Sequence, residues 1–377
     1  MDALYVIILS ISLLLLVSNS INEGALTIYN KVPFSFKAMI VAYYVVVPYS
    51  SIPIGSSSKY TSIISDNTVS ISNDEKLLLA SSKVIHDAIK NCYNIDIFIR
   101  RYPSSISNSR GSILLLHGFS WHSYYFTSLA LSLSSIGYNV ITYDHVGSGR
   151  SGTIDGFKGH VHSITSIIDD INSILDYQLK HTTTTTKNTN KKLYIFAESM
   201  GATIAIKALT SSLLRHSVNG IILSGPVVKV ADHLLPPPPV LTFIKTMALL
   251  LPKLPVPSEN PANTFNEAFG DQAFAEVAKK DPLVNFNAPT FGLAKTILTT
   301  VSENLESLNN ISIPILILHG DQDKRTDHSN SKYLYDNVSS KDKTLKIITG
   351  ANHQLLQDTK EITANTINII KNWLLKH

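Results

Sequence analysis

The chain has 377 residues, of which 44% are hydrophobic and 16% are charged, and its formal net charge at pH 7 is +4. This length is sufficient for one large α/β core with an inserted subdomain. The small net charge and the lack of a long lysine or arginine run argue against nucleic acid as a partner. The single cysteine, Cys92, excludes an internal disulfide.

The first 20 residues predict a signal peptide or an N-terminal anchor. Residues 3–17 form a continuous apolar run, which is shorter than the roughly 20 residues of a membrane-spanning helix. Small residues follow it, as at a signal-peptidase cleavage site. Asp2 stands where a signal peptide usually has a basic residue, so an uncleaved anchor is the alternative. Both interpretations predict entry into the secretory pathway, with a secreted or membrane-associated product.

A variable N-terminal segment, residues 21–75, follows. Its apolar patch at residues 38–47 is too short to span a membrane, so it either lies in a membrane interface or packs against the body of the protein. Residues 51–75 are rich in serine, threonine and asparagine and predict an irregular linker. Sequons at Asn310 and Asn337 predict a glycoprotein, in agreement with secretory entry.

The predicted α/β core comes in two parts, residues 76–225 and residues 306–377. Two segments with clustered β-branched residues open it as an antiparallel strand pair. Apolar runs of strand length then alternate with helical patterns, which is typical of a mainly parallel, doubly wound sheet whose strands are buried on both faces. The strand segments are residues 83–88, 94–100, 112–116, 138–143, 193–196, 220–223, 313–318 and 345–348.

Residues 226–305 lie between the strand segments at residues 220–223 and 313–318. This connection is longer than a simple crossover between parallel strands needs to be. They contain prolines at 236–239, an apolar stretch at 240–251 and several phenylalanines. We interpret them as a cap inserted over the ends of the strands, where ligands bind in such sheets. An apolar cap predicts a substrate with an apolar part. The alternative is an insertion that serves packing only.

The stretch at residues 193–203 predicts a nucleophile elbow around Ser199. The sharp strand-to-helix turn needs small residues two positions before and after the serine, and Ala197 and Gly201 meet that need. The turn places the hydroxyl at a helix N-terminus, where free N–H groups favour negative charge. The Met200 N–H is therefore a candidate oxyanion donor. A buried turn with Ser199 as an N-cap is the alternative interpretation.

A serine nucleophile needs a base that is oriented by a carboxylate, and in this type of elbow the acid and then the histidine follow in chain order. Asp323 and His353 each stand in a loop that follows a buried strand segment. The sequence therefore predicts Asp323 as the orienting acid and His353 as the general base. Asp321 and Asp327 are competitors for the role of the acid.

A second oxyanion donor is expected after an earlier strand. His117, Gly118 and Phe119 follow the segment at residues 112–116, so we predict the Phe119 N–H as this donor. Gly118 would let the backbone approach the serine closely. We interpret His117 as a residue that braces the loop rather than as a proton carrier.

Several short motifs along the chain occur together in one family. They are Leu116-His117-Gly118, Asp144-His145, Asp155-Gly156, Glu198-Ser199-Met200-Gly201, Asp281-Pro282-Leu283, His319-Gly320 and Asn352-His353. With these motifs, the sequence over about residues 80–375 resembles the monoglyceride lipase and lysophospholipase group of α/β-hydrolases, within the serine aminopeptidase S33 (hydrolase 4) family. Ala197 stands where that family usually has glycine.

The resemblance implies the α/β-hydrolase fold with an inserted cap. It also implies a catalytic triad of Ser199, Asp323 and His353, and an oxyanion hole formed by the N–H groups of Phe119 and Met200. The cap differs most from the family pattern, which leaves the acyl chain and the head group of the substrate open.

The predicted function is that of a serine hydrolase that cleaves carboxylic esters of lipids, above all a monoacylglycerol or a lysophospholipid, through an acyl-enzyme on Ser199. No metal or cofactor is expected. An acyltransferase or a prolyl aminopeptidase-type hydrolase would use the same triad, and a non-catalytic lipid-binding protein is the alternative from another class. Association with a membrane surface is a hypothesis from the apolar N-terminus, and the oligomeric state is left open.

Overall fold

The computed structural model describes residues 84–182, 192–229, 238–257 and 265–377. The predicted signal peptide or anchor at residues 1–20 and the variable segment at residues 21–75 lie outside these ranges and stay predictions. Within the described ranges, no helix has the length and apolar character needed to cross a membrane. Asn310 and Asn337 of the two sequons are both exposed, and their glycosylation stays a prediction.

Eight strands of the described ranges form one sheet. They are β1 (Ile85–Lys90), β2 (Asp96–Tyr102), β3 (Gly111–Leu116), β4 (Tyr138–Tyr143), β5 (Lys192–Glu198), β6 (Gly220–Ser224), β7 (Ile315–Gly320) and β8 (Lys343–Ile348). Their order in the sheet is β1-β2-β4-β3-β5-β6-β7-β8. Strand β2 runs antiparallel to β1 and β4, and all other neighbouring pairs are parallel. The prediction of a mainly parallel sheet opened by an antiparallel pair is confirmed.

Helices connect the strands and cover both faces of the sheet. In the described residues they are α1 (Thr127–Ser135), α2 (Ile164–Thr182), α3 (Met200–Thr210), α4 (Pro238–Leu250), α5 (Gln272–Ala278), α6 (Phe291–Ser307), α7 (Ser329–Asn337) and α8 (Lys360–Lys376). The side chains of Asp271, Thr290 and Thr359 accept a hydrogen bond from the backbone N–H three residues later. These caps explain why α5, α6 and α8 begin where they do.

The two layers of helices bury alternate residues of the central strands. Ile195 and Ala197 of β5 lie in a cluster with apolar residues of α2, α3 and α6. Tyr194 and Phe196 lie in a second cluster, with residues of α1 and α8. Because both faces are covered, the strands of this parallel sheet have continuous apolar sequences instead of alternating ones.

The insertion between β6 and β7 contains α4, α5 and α6. Helix α6 packs against α3 and α4, so it joins the insertion to a helix that covers the sheet. Phe265 and Phe269, which precede α5, form a cluster with Trp121 in the loop after β3. The insertion therefore reaches the edge of the sheet at which the parallel strands end. The limits predicted for a cap, residues 226–305, stay a prediction.

Candidate active site

Ser199 occupies the one-residue turn between β5, which ends at Glu198, and α3, which begins at Met200. Its φ of 54° and ψ of −120° lie outside the regions that non-glycine residues usually adopt. Such backbone strain persists only where the surroundings hold the residue in place. Here the Ser199 N–H donates a hydrogen bond to the Ser224 carbonyl oxygen at 3.0 Å, which fixes the turn against the end of β6. The chain thus forms a strand–turn–helix elbow with the serine at its apex.

The residues around this turn are small because other backbone segments pass close by. A Cβ added at Gly201 would lie 2.6 Å from the Leu116 carbonyl oxygen, so a side chain at this position would clash with the end of β3. A Cβ at Gly118 would lie 3.0 Å from the Ser199 Cβ, which shows how closely the loop after β3 approaches the serine. Ala197 is fully buried in the core, so the fold accommodates its methyl group.

Ser199, His353 and Asp323 form a hydrogen-bonded chain. His353 Nε2 lies 2.9 Å from Ser199 Oγ, and His353 Nδ1 lies 2.7 Å from Asp323 Oδ2. Asp323 follows β7 and His353 follows β8, and the loops meet because neighbouring parallel strands end at the same edge of the sheet. Since the carboxylate accepts the proton on Nδ1, the Nε2 of neutral His353 accepts a hydrogen bond from the Ser199 hydroxyl.

The side chain of Asp323 is buried and receives several hydrogen bonds. The backbone N–H groups of Arg325 and Thr326 donate to its Oδ1, and the Thr326 hydroxyl and His319 donate to its Oδ2. Burial by itself would raise the pKa of Asp323, but the charge of His353 and the hydrogen bonds lower it well below its ordinary value. Asp323 is therefore ionised at neutral pH and can stabilise a protonated His353.

The two competitors for the acid bind elsewhere. Asp321 Oδ1 accepts a hydrogen bond from the Gly350 N–H at 2.8 Å, and Asp327 Oδ1 accepts one from the Ser329 N–H at 2.8 Å. The structure thus places Asp323 beside His353, while Asp321 and Asp327 bind backbone N–H groups and stabilise loops.

Two residues near Asp323, His319 and Thr326, were not assigned to the site from the sequence. His319 Nε2 lies 3.0 Å from Asp323 Oδ2 while its Nδ1 lies 2.6 Å from Ser331 Oγ. The Thr326 hydroxyl donates to the same carboxylate oxygen at 2.7 Å. Their closeness to Asp323 in the sequence was the available signal, because backbone turns bring such neighbours to a carboxylate.

Both predicted oxyanion donors lie beside Ser199. Met200 is the first residue of α3, so its N–H has no acceptor in a preceding helical turn. Phe119 follows Gly118 in the loop after β3 and lines the same cavity as Ser199. The two N–H groups therefore belong to segments that meet at the serine.

His117 is buried and fixed in one tautomer. Its Nε2 accepts a hydrogen bond from the His145 N–H at 3.0 Å, so its Nδ1 carries the proton and donates to the Gly118 carbonyl oxygen at 2.8 Å. Burial lowers the pKa of His117 to about 3. A neutral imidazole bonded at both nitrogens braces the loop, as interpreted from the sequence.

A cavity of about 190 Å³ opens at Ser199 and His353. Six of its twelve lining residues are polar or charged, Arg325 and Gln354 among them, and the other six are apolar or aromatic: Phe119, Trp121, Val227, Phe265, Ala268 and Phe286. The last three of these come from the insertion between β6 and β7, which therefore contributes apolar surface to the site. In the part of the chain that the structure describes, no group of three histidine, cysteine or acidic side chains is arranged to hold a metal ion.

Asp281 of the insertion is tied to the loop after β3. Its Oδ2 lies 2.9 Å from His122 Nε2 and accepts a hydrogen bond from the Tyr125 hydroxyl at 2.8 Å, and its Oδ1 accepts one from the Leu283 N–H. Burial raises the pKa of Asp281, but its bonds to His122, Leu283 and Tyr125 lower it below its ordinary value. A carboxylate thus anchors the insertion to the loop that carries Phe119.

Comparison with known proteins places these features in one family. Residues 107–360 match the model of the family described as Hydrolase_4, serine aminopeptidase, S33. A monoglyceride lipase homolog from monkeypox virus is 28% identical over 289 residues, which cover 75% of this chain and 97% of that protein. The monoglyceride lipase of Homo sapiens is 27% identical over 280 residues, which cover 73% of this chain and 85% of that protein.

A solved structure shows the same architecture. The crystal structure of a soluble variant of monoglyceride lipase from Saccharomyces cerevisiae, in complex with a substrate analog, superimposes with a TM-score of 0.66 at 22% identity. The match covers 78% of this chain and 96% of that one. A likeness at this identity shows a shared fold, and the predicted α/β-hydrolase fold is confirmed.

Proposed function

The chain belongs to the serine aminopeptidase S33 family of α/β-hydrolases, and we propose that it hydrolyses carboxylic esters of lipids through an acyl-enzyme on Ser199. The observation that carries the proposal is the continuous hydrogen-bonded chain from Ser199 through His353 to Asp323. A serine hydroxyl alone is a weak nucleophile, and this arrangement supplies both the base and the group that orients it.

In the first half of the reaction, Ser199 Oγ attacks the ester carbonyl carbon while His353 Nε2 takes the hydroxyl proton. The Asp323 carboxylate stabilises the imidazolium that forms. The carbonyl oxygen becomes negative in the tetrahedral intermediate and accepts hydrogen bonds from the N–H groups of Phe119 and Met200. When the intermediate collapses, the ester C–O bond breaks and His353 returns the proton to the oxygen of the departing alcohol.

Water completes the reaction. His353 Nε2 takes a proton from a water molecule as its oxygen attacks the acyl carbon of the acyl-enzyme, and a second tetrahedral intermediate forms. Its collapse breaks the bond between the acyl carbon and Ser199 Oγ, and His353 returns the proton to the serine. The products are a carboxylic acid and the alcohol, and no cofactor takes part in any of these steps.

We place the substrate among monoacylglycerols and lysophospholipids. The apolar and aromatic residues on one part of the cavity wall fit a hydrocarbon chain next to the scissile ester. The relative from Homo sapiens is named monoglyceride lipase and that from monkeypox virus monoglyceride lipase homolog, which supports glycerol as the alcohol. An acyltransferase would pass through the same acyl-enzyme, and formation of a new ester after addition of an alcohol would reveal it.

The test is labelling with a fluorophosphonate, which reacts with activated serines. We expect the wild-type chain to be labelled and Ser199→Ala to be unlabelled. Ser173→Ala, a serine of α2 outside the cavity, is the control and should be labelled like the wild type. Equal labelling of Ser199→Ala and the wild type would reject Ser199 as the nucleophile.

The substrate class is tested separately. A panel of monoacylglycerols, lysophospholipids and short esters is offered to the wild type and to Ser199→Ala, and release of fatty acid is measured. We expect release from monoacylglycerols by the wild type alone. Release of an amino acid from prolyl peptides, without release of fatty acid, would favour a prolyl aminopeptidase instead.

A further inference from the structure

Glu198 is a buried carboxyl residue that the steps above do not use. It ends β5 immediately before Ser199, and only 2% of its surface is exposed. It is not among the described residues that line the cavity, so it has no access to a substrate. A buried carboxyl group needs hydrogen-bond partners, and their identity shows what it does.

The main partner of Glu198 is Gln354, which follows His353. With the Gln354 amide oriented so that donors face acceptors, its NH₂ group donates to Glu198 Oε1 at 2.8 Å and to Oε2 at 3.2 Å. Gln354 lines the cavity beside Ser199 but is only 2% exposed, so water has little access to this contact. A buried hydrogen bond of this kind is stronger than one on the surface.

The position of this bond matters because of its neighbours in the chain. Glu198 is next to Ser199, and Gln354 is next to His353, so two links connect the elbow to the loop after β8. One link is the bond between Ser199 Oγ and His353 Nε2 at 2.9 Å, and the other is the pair of bonds between the flanking side chains. Two links between the same segments restrict their relative rotation as well as their separation.

The Gln354 amide also reaches the loop that carries Phe119. Its oxygen accepts a hydrogen bond from Trp121 Nε1 at 2.5 Å, and Trp121 is 5% exposed. The Gln354 N–H donates to the Ala268 carbonyl oxygen of the insertion at 2.8 Å. One residue therefore contacts the nucleophile elbow, the oxyanion loop and the insertion.

We propose that Glu198 and Gln354 are positioning residues, which hold the His353 ring on Ser199 and, through Trp121, hold the Phe119 N–H at the oxyanion. This inference rests on the proposed function. It assigns no proton transfer to Glu198, which acts only through the groups it fixes.

Removal of the carboxyl group is the first test. Glu198→Leu keeps a similar volume and abolishes the bonds to Gln354. We expect kcat to fall about 100-fold with an unchanged KM, because misplacement of a reacting group by about 1 Å has an effect of this size. The rate constant for fluorophosphonate labelling should fall equally, and it needs no ester substrate. Gln322→Leu, an exposed glutamine in the loop after β7, is the control and should keep both rates.

The second test exchanges the side chains of Glu198 and Gln354. It separates an effect on the position of the reacting groups from an effect on the stability of the fold. Glu198→Gln keeps one oxygen that can accept a hydrogen bond from the Gln354 amide, and should stay within about threefold of the wild-type kcat. Gln354→Glu places two carboxyl groups against each other and should lose activity. The double variant Glu198→Gln/Gln354→Glu reverses donor and acceptor, and should regain about tenfold over Gln354→Glu alone.

The outcomes separate the two proposals. The inference is overturned if folded Glu198→Leu labels and turns over like the wild type, or if the double variant is no faster than Gln354→Glu. If the wild type is labelled but cleaves no lipid ester, the substrate proposal fails while the labelling rates still decide the inference. Melting temperatures of all variants show whether a loss of rate reflects unfolding. If Glu198→Leu is unfolded, the comparison of the double variant with Gln354→Glu decides whether the inference holds.

Discussion

The loop after β7 and the end of β5 each place a buried carboxyl group near the Ser199–His353 pair, and their surroundings act on the two groups in opposite directions. Asp323, in the loop, faces the charge of His353 and receives bonds from backbone, hydroxyl and imidazole donors, which lower its pKa. Glu198, in the strand, has an uncharged amide as its donor. Burial raises its pKa to about 8, and the charge of Asp323 adds to this rise.

Because both side chains are buried, the donors and charges around each carboxyl group decide which of the two is ionised. An ionised Asp323 stabilises a protonated imidazole. A neutral Glu198 accepts a hydrogen bond from the Gln354 amide without adding a second negative charge to that of Asp323. Pairs of acids whose pKa values are driven apart in one site have different roles.

The largest effect is expected from Asp323→Asn, which replaces the ionised carboxylate of the pair Asp323 and Glu198 by a neutral amide. An amide at this position donates to His353 Nδ1 and forces the wrong tautomer, so kcat should fall about 10⁴-fold. Steady-state hydrolysis of a monoacylglycerol measures the loss. Asp327→Asn, in the same loop but bonded to the Ser329 N–H, is the control. An equal loss in both variants would contradict the assignment of the acid.

The next effect concerns Glu198 and stability. Its ordinary pKa is 4.5 and its pKa in the folded chain is about 8. Between these values the folded state keeps a proton that the unfolded state has lost, so the free energy of unfolding falls as pH rises from about 4.5 to 8. Glu198→Gln does not ionise and loses this slope. Its stability relative to the wild type should be greater at about pH 9 than at about pH 4 by roughly 3–5 kcal/mol.

Urea unfolding of both proteins across this pH range measures the difference. Glu276→Gln, which replaces an exposed glutamate bonded to Lys279, serves as the control and should keep the wild-type slope above about pH 5. Parallel curves for Glu198→Gln and the wild type would show that Glu198 is ionised in the folded chain.

The smallest effect is expected from Asp281→Asn. Asp281 is a third buried carboxyl group, and like Asp323 it is bonded to a histidine. Loss of its charge weakens the bonds to His122 and Tyr125, and the free energy of unfolding should fall by about 1–3 kcal/mol. Because Asp281 lies away from His353, kcat should change much less than in Asp323→Asn. Denaturant unfolding and steady-state kinetics measure the two quantities.

An exposed pair gives the matched control for this third prediction. Asp336 bonds Lys332 on the surface of α7, and Asp336→Asn should change stability by less than about 1 kcal/mol. If Asp281→Asn were as mild as Asp336→Asn, the bond between the insertion and the oxyanion loop would have no part in stability.

Much of the fold was predictable because its signals are local. Apolar runs such as residues 313–318 identify strands buried on both faces, and the alternation with helical patterns identifies the parallel sheet. The small residues around Ser199 identify the elbow, and this signal is local too, because the sharp turn has no room for large side chains there. The loops that carry Asp323 and His353 could be located because parallel strands end at one edge of the sheet.

The sequence predicted Asp323 as the acid, but the loop pattern alone left Asp321 and Asp327 as competitors. Asp321, Asp323 and Asp327 lie within one loop, and the direction of each side chain depends on backbone turns that carry no clear local signal. The same holds for the insertion, whose apolar character was evident while the contacts of Phe265 and Phe286 with the cavity were not.

By itself, the sequence determined the sheet, the elbow and the order of serine, acid and histidine, because each depends on the pattern or size of neighbouring residues. The tertiary structure decided which aspartate reaches His353 and how Glu198 is held. Glu198, Gln354 and Trp121 are distant in the chain, and the protonation state of a buried carboxyl group depends on the donors and charges that folding brings to it. These quantities exist only once the strands have placed three loops around one serine.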